Sequence, residues 1–255
     1  MIKHWFFTGD IHGSIERMIT LNNYLINRGL KPKECAVICL GDVGFNFYLN
    51  KKDITLKNLF VENCGYTIYC LKGNHEARPI DLPNINKIYD YEVNGSVYVE
   101  EEYPTIKYFC DTTGATYNIN GYKFLTIGGA YSVDKYYRLE KGWTWFDNEQ
   151  LTIAERELIT QTCSGNNFDF ILTHTCPISW QPIDLFINLP DSHPVDSTME
   201  EWLENFKEKI NYKVWLFGHY HDDRFINSKS EMLFTDLVPM EYFIDKYIKG
   251  EYNHI

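Results

Sequence analysis

His4-Trp5-Phe6-Phe7-Thr8-Gly9-Asp10-Ile11-His12-Gly13 runs five strand-forming residues straight into a glycine-flanked polar loop. The same arrangement returns along the chain. Residues 36–40 lead into Gly41-Asp42-Val43-Gly44, and residues 67–71 into Lys72-Gly73-Asn74-His75-Glu76. Residues 124–127 lead into Gly128-Gly129-Ala130-Tyr131, 168–172 into Thr173-His174, and 214–217 into Gly218-His219-Tyr220-His221. Each run has the length of a buried strand and is rich in Val, Ile and aromatics.

Helical spacing fills several intervals. Ile15, Met18, Ile19, Leu21 and Leu25 predict a helix over residues 14–28 that stops at Gly29. Leu151, Ala154, Leu158 and Ile159 predict another over 148–162, and a shorter pattern covers 54–63. Ser197-Thr198-Met199-Glu200 reads as a cap for an amphipathic helix reaching Ile210. Asn94-Gly95 and Asn120-Gly121 predict tight hairpins, so residues 89–127 add antiparallel strands. A last strand is expected over Met232 to Val238, and residues 184–197, rich in Pro, as an irregular surface excursion. No linker or repeat divides the chain, so one α/β domain with a layered sheet is expected over 1–255.

The bulk numbers agree with a well-packed protein: 255 residues, 44% hydrophobic, 23% charged and 16% aromatic. The net charge of −11 makes a long nucleic acid a poor partner, since nonspecific binding needs Lys and Arg to neutralise phosphates. It leaves room for a small phosphorylated substrate, because bound cations reverse the local field. Seven cysteines, odd in number and mostly inside apolar runs, read as free buried thiols in a reducing cytoplasm. Neither a leader segment nor an apolar run of membrane-spanning length is expected. Nothing in the sequence bears on oligomeric state.

Five of the eight histidines (His12, His75, His174, His219 and His221) fall in the clusters that follow strands. Singly, a Gly-Asp pair is an ordinary turn and a lone His an ordinary interior residue. Together they place chemistry beyond the strand ends, where loops of an open α/β sheet converge on ligands. Asp10 with His12, and His219 with His221, are two apart and in extended backbone aim to one side. Asp42 offers a carboxylate able to bridge two cations, and Asn74 a neutral carbonyl oxygen. Carboxylate, imidazole and amide without thiolate suit Mn, Fe, Zn or Ni better than Ca or a structural zinc. Two such ions about 3.5–4 Å apart hold a hydroxide nucleophile and clamp an in-line displacement at phosphorus.

Gly9-Asp10-Ile11-His12-Gly13, Gly41-Asp42, Gly73-Asn74-His75-Glu76, Thr173-His174 and Gly218-His219-Tyr220-His221 together resemble the five ordered blocks of the calcineurin-like metallophosphoesterases. The resemblance implies a two-sheet β-sandwich flanked by helices, four layers α/β/β/α. It implies that Asp10, His12 and His221 hold one divalent ion and that Asn74, His174 and His219 hold a second. Asp42 would bridge them, with manganese the first choice of metal. His75 would assist the leaving-group oxygen, by donating a proton or stabilising its charge. The activity implied is hydrolysis of a small phosphate mono- or diester.

One block departs from the family. Where many members continue GDxxDRG, this chain has Gly41-Asp42-Val43-Gly44-Phe45-Asn46-Phe47, so Phe45 replaces the Asp that supports the catalytic His and Asn46 the phosphate-holding Arg. A Ser/Thr protein phosphatase is disfavoured, and a small bacterial or phage-type phosphoesterase fits better. Arg78 and Arg138 are candidate replacements for the phosphate contact, counted with Asn74 as substrate-binding residues, because a guanidinium fork matches phosphate oxygens. Tyr131 and Asp134 lie near Arg138 in sequence. Trp143 and Trp145 are expected to pack under their loop rather than stack on a base. Two rivals remain: a non-catalytic scaffold of the same fold, and a hydrolase of short nucleic acids or dinucleotides.

Overall fold

The apolar runs become central strands of two sheets packed face to face. The computed structural model describes residues 1–110, 114–186 and 194–251. In chain order the elements are β1 (His4–Thr8), α1 (Ile15–Asn27), β2 (Cys35–Cys39), α2 (Lys51–Asn63), β3 (Thr67–Cys70), β4 (Ile85–Asp90), β5 (Gly95–Glu100), β6 (Ile106–Phe109), β7 (Ala115–Ile119) and β8 (Tyr122–Ile127). They continue with α3 (Lys135–Lys141), α4 (Ile153–Cys163), β9 (Asn167–Thr173), α5 (Thr198–Lys207), β10 (Asn211–Phe217), β11 (Arg224–Asn227), β12 (Ser230–Met232), β13 (Val238–Pro239) and α6 (Met240–Phe243). A π-helical stretch, Ile244–Lys249, extends α6.

The first sheet has the order β13-β1-β2-β3-β6-β5-β4 and the second β11-β12-β10-β9-β8-β7. β1, β2 and β3 are parallel, with Phe7 opposite Ile38 and Ile38 opposite Tyr69. β8, β9 and β10 are parallel too, with Phe124 opposite Phe170 and Phe170 opposite Val214. The loops leaving these strands therefore emerge at corresponding edges of the sandwich.

Both faces of each sheet are covered, which explains runs that are apolar throughout rather than alternating. Phe7, Ile38, Tyr69, Phe124, Phe170 and Leu216 fill the space between the sheets. There the Phe124 and Phe170 rings stack with centroids 4.5 Å apart. Their neighbours Phe6, Val37 and Ile68 point outward onto Met18, Leu21 and Leu25 of α1 and Phe60 of α2. On the far side Leu125, Ile171 and Trp215 meet Ile159 and Cys163 of α4 and Met199, Leu203 and Phe206 of α5. Each large side chain buried this way contributes about 1.5–3 kcal/mol. The result is the helix, sheet, sheet, helix layering that the resemblance implied.

Several boundaries differ from expectation for identifiable reasons. The helix expected over 148–162 begins at Ile153, because Thr152 and Glu155 form a reciprocal capping box. Ser197 makes no capping bond; the carboxylate of Asp196 accepts from Thr198 N at 2.9 Å instead. The strand expected over Met232 to Val238 is two short ones, since residues 233–237 bend around the Asp223 carboxylate, which accepts from the N–H groups of Phe234, Thr235 and Asp236. Asn120-Gly121 is a two-residue turn with φ of 52° and 86°. At Asn94-Gly95 the hairpin has a longer loop, because Gly95 already pairs with Asp90. All seven cysteines are buried and stand outside any disulfide. Among the described residues no helix is long and apolar enough to cross a membrane. The middle of the expected 184–197 excursion, residues 187–193, lies outside the described residues.

Candidate metal centre

The loops after β1, β2, β3, β9 and β10 meet at one edge of the sandwich. Asp10, Asp42 and Asn74 are each 1% exposed and His174 is fully buried. His12, Asp42, His219 and His221 stand in the left-handed region, at φ of 50°, 50°, 71° and 55°. Such backbone costs about 1–3 kcal/mol per residue and persists only where neighbours over-determine it. Here His12 N donates to Asp42 O at 2.8 Å, His75 N to Asp42 Oδ1 at 2.8 Å and His219 N to Asp10 Oδ1 at 2.9 Å. The two buried carboxylates thus bind the loops together with one oxygen and keep the other facing inward.

Glycines make this approach possible. A Cβ on Gly73 would stand 1.9 Å from Asp42 Oδ1, and one on Gly41, whose φ is 104°, would stand 2.1 Å from His174 Nδ1. Arg17 of α1 donates to Asp10 O and Phe234 O, tying the first loop to the segment after β12. The Phe234 ring stacks on His221 at 4.8 Å.

The inward atoms form overlapping groups. Ligand atoms of Asp10, His12 and His221 lie within 4.8 Å of one another, and so do those of Asp10, Asp42 and His174. His12, Asp42 and His75 form a third such group. His12 Nε2 and His221 Nε2 are 2.8 Å apart, 3.7 and 3.3 Å from Asp10 Oδ2. That carboxylate oxygen is buried with no hydrogen-bond partner. An unpartnered buried anionic oxygen beside two converging imidazole nitrogens is costly for the protein alone and is what a cation relieves. His174 Nε2 lies 2.9 Å from Asn74 Oδ1 and 3.5 Å from Asp42 Oδ2. Its Nδ1 is 2.7 Å from Leu40 O, which only accepts, so Nδ1 carries a proton and Nε2 is the atom turned to the carboxylates, where it could serve a metal ion. The His219 ring packs 5.0 Å from that of His174. All seven residues expected to hold metal therefore sit together, and their mixed oxygen and nitrogen donors fit divalent transition ions.

Charge sets the protonation states. Burial opposes ionisation of Asp42, but His174, His75 and His12 hold it well below the usual 3.8. Burial likewise opposes charge on His174, yet Asp42 and Asp10 push it up to about 9. Burial and the nearby His174 bring His219 down to about 3. His75 lies below 6.5, lowered by burial and then by Arg138 and His12 against the pull of Asp42 and Asp134. Glu76, whose carboxylate accepts from Gly73 N at 3.0 Å, is pushed up to about 7 by burial and by Asp42.

A supporting layer invisible in the motifs lies behind these residues. Asn74 Nδ2 donates to Ser132 Oγ at 2.9 Å, which leaves the amide oxygen facing His174. Ser132 Oγ also accepts from Arg138 Nη2 at 2.7 Å and donates to Glu149. Arg138 is 1% exposed and also binds Thr144 O and Asp134 Oδ1, at 3.0 and 3.1 Å. It braces Asn74 rather than reaching open space. Asp134 Oδ1 in turn lies 3.9 Å from His75 Nε2. Asp134 brings a carboxylate to His75 from the loop before α3, where the motif has lost one at Phe45. Phe45 itself is fully buried against Phe60, and Asn46 accepts Ala77 N through its carbonyl.

Arg78 is not brought to the centre. Its guanidinium binds Glu155 Oε1 at 2.6 Å and the carbonyls of Asn148 and Gln150, each at 3.0 Å. The aromatic pair after α3 also departs from expectation. Trp143 is exposed, while Trp145 Nε1 donates to Glu149 Oε2 at 2.9 Å.

The sequence signature of the calcineurin-like phosphoesterases matches residues 5–223. Among solved structures, the TT1561 protein of Thermus thermophilus is 11% identical with a TM-score of 0.48, over 94% of this chain and 98% of that one. The 5'-nucleotidase of Candida albicans is 13% identical with a TM-score of 0.35, over 90% of this chain. This chain spans only 44% of the nucleotidase's length. No curated protein matches the sequence.

Proposed function

The chain belongs to the calcineurin-like phosphoesterase family, and from that premise we propose that it hydrolyses phosphate mono- or diesters with two divalent ions, manganese foremost. Asp10, His12 and His221 would hold one and Asn74, His174 and His219 the other, with the Asp42 carboxylate available to both sets. The observation that carries this reading is the buried, unpartnered Asp10 Oδ2, with His12 Nε2 and His221 Nε2 converging beside it. When bound, such ions activate water and neutralise charge developing at phosphorus.

The chain's own residues supply the rest. Asp42 fixes the His75 backbone while its free oxygen faces His174. With its pKa lowered below 6.5, His75 is mostly neutral at pH 7 and offers the departing oxygen a hydrogen bond rather than a positive charge. Asp134, whose Oδ1 lies 3.9 Å from His75 Nε2, would take the part of the carboxylate missing at position 45 once the two close to hydrogen-bond distance. Ser132, braced by Arg138 and Glu149, keeps the Asn74 oxygen turned inward. Arg138 acts here through its neighbours rather than on phosphate, and Arg78 anchors the loop before α4. The free thiols fit action in the cytoplasm.

Counting ions tests the reading. The chain, stripped and dialysed against Mn²⁺, should retain two ions per molecule, and Asp42→Asn should retain one or none. Wild-type protein that holds no ion under these conditions would refute it.

A further inference from the structure

Two clefts open from the metal ligands and meet at His75. The smaller, about 320 Å³, runs from His12 past Phe47, Tyr48 and Lys52. The larger, about 490 Å³, runs past His219 and His221 to Tyr131, Val133, Leu185 and Phe186. Phe186 lies parallel to Tyr220 with ring centroids 6.2 Å apart. Val133, Leu185, Phe186 and Val195 all line this cleft and are exposed. An apolar, open wall beside a polar metal centre marks a place where an apolar group of a ligand is buried.

Charge narrows the ligand further. Besides Asp42 of the metal centre, the described lining of the larger cleft holds Asp134, Asp196 and Glu200 and no Lys or Arg; among the described lining residues of both clefts the one such cation is Lys52, in the smaller. Arg78 and Arg138 are bound to Glu155, Ser132 and Asp134, as described above. Among the described lining residues no guanidinium is therefore directed at the second negative charge of a phosphomonoester. A further phosphate or carboxylate in the larger cleft would face three acidic side chains.

We propose that the natural substrate is a phosphodiester, a monoanion, one of whose alcohol groups is bulky, uncharged and apolar or aromatic and lies along Val133, Leu185 and Phe186. The other alcohol group occupies the cleft of Phe47 and Tyr48. This rests on the hydrolase reading above. In the reaction the oxygen of water forms a bond to phosphorus and the bond from phosphorus to one alcohol oxygen breaks. A proton from the water passes to that oxygen, giving one alcohol and one phosphomonoester.

The test uses the full chain loaded with Mn²⁺ and three esters: 4-nitrophenyl phosphate, methyl 4-nitrophenyl phosphate and bis(4-nitrophenyl) phosphate. The expected order of kcat/KM puts the bis-ester at least tenfold above the monoester, with the methyl diester between. Phe186→Ala and Val133→Ser should each narrow the bis-to-methyl ratio at least threefold. As a readout apart from turnover, the slowly hydrolysed diphenyl phosphate should bind more tightly than dimethyl phosphate by calorimetry, and Phe186→Ala should erase most of that difference. A monoester preferred over both diesters, or ratios and binding unmoved by both substitutions, would overturn the diester assignment while leaving the hydrolase standing. No turnover of any ester, with Mn, Fe, Zn or Ni, would overturn both.

Discussion

Replacing Asp42 by Asn keeps the shape of the side chain and removes one charge from the middle of the site. Asp42 Oδ2 lies 3.5 Å from His174 Nε2, and both residues are buried. At an effective dielectric constant of about 20, two unit charges at that distance interact by roughly 5 kcal/mol. One pKa unit corresponds to about 1.4 kcal/mol, so the substitution should lower the pKa of His174 by roughly 3.5. His174, at about 9 in the metal-free wild type, should then titrate at roughly 5–6. Because the wild-type value is raised above the ordinary 6.5, this pair stabilises the metal-free fold fully below pH 6.5 and progressively less as pH rises through 9. It also follows that an ion displacing the His174 proton at pH 7.5 should release about one proton into solution. The nitrogen-detected NMR titration of the metal-free protein reads the pKa directly, and calorimetry of Mn²⁺ binding in buffers of different ionisation enthalpy counts the proton. A His174 that titrates at the same pH in both proteins, or Mn²⁺ binding with no proton release in the wild type, would refute the reasoning.

Three further expectations follow from particular contacts. Gly73→Ala places a Cβ 1.9 Å from Asp42 Oδ1, so it should weaken Mn²⁺ binding by roughly 10–100-fold in chelator competition, the usual effect of disturbing a ligand's support; unchanged affinity would show that the close approach is immaterial. Arg78→Ala removes the partner of Glu155 and should lower stability by about 2–3 kcal/mol in urea, with KM moving less than about twofold; a large rise in KM with stability intact would return Arg78 to the substrate. Asp223 is buried in part, which raises its pKa, but the N–H groups of Phe234, Thr235 and Asp236 and the Thr235 hydroxyl bring it below 3.8. Asp223→Asn should therefore cost roughly 1–2 kcal/mol at pH 7, a deficit that shrinks as pH falls below 3.8 through the lower folded value; a deficit constant down to pH 2.5 would contradict this.

Much of this was legible in the chain because the fold buries its central strands on both faces. The runs at Trp5-Phe6-Phe7 and Ala36-Val37-Ile38 are apolar at every position, and the layered sandwich demands that. The same architecture puts Asp10, Asp42, Asn74, His174, His219 and His221 at one edge, so short motifs sufficed to gather them. What escaped notice depends on partners far apart in sequence. Glu155 claims Arg78 across 77 residues, and Asp134 faces His75 from the loop before α3. No local pattern announces either. The helix α3 buries Arg138 and leaves Tyr137 and Leu139 exposed, so it has no apolar face for a periodic pattern to record. Residues 233–237 looked like strand by composition, and the Asp223 carboxylate turns their backbone aside.

The most direct test of the central claim is release of nitrophenol from bis(4-nitrophenyl) phosphate by metal-stripped protein, before and after addition of Mn²⁺. The account predicts no turnover above background without the ion, recovery with it, and loss of about a thousandfold or more in Asp10→Asn, since the developing charge at phosphorus then lacks its stabiliser. Equal turnover in stripped and Mn²⁺-loaded protein, or an Asp10→Asn variant as active as wild type, would contradict it.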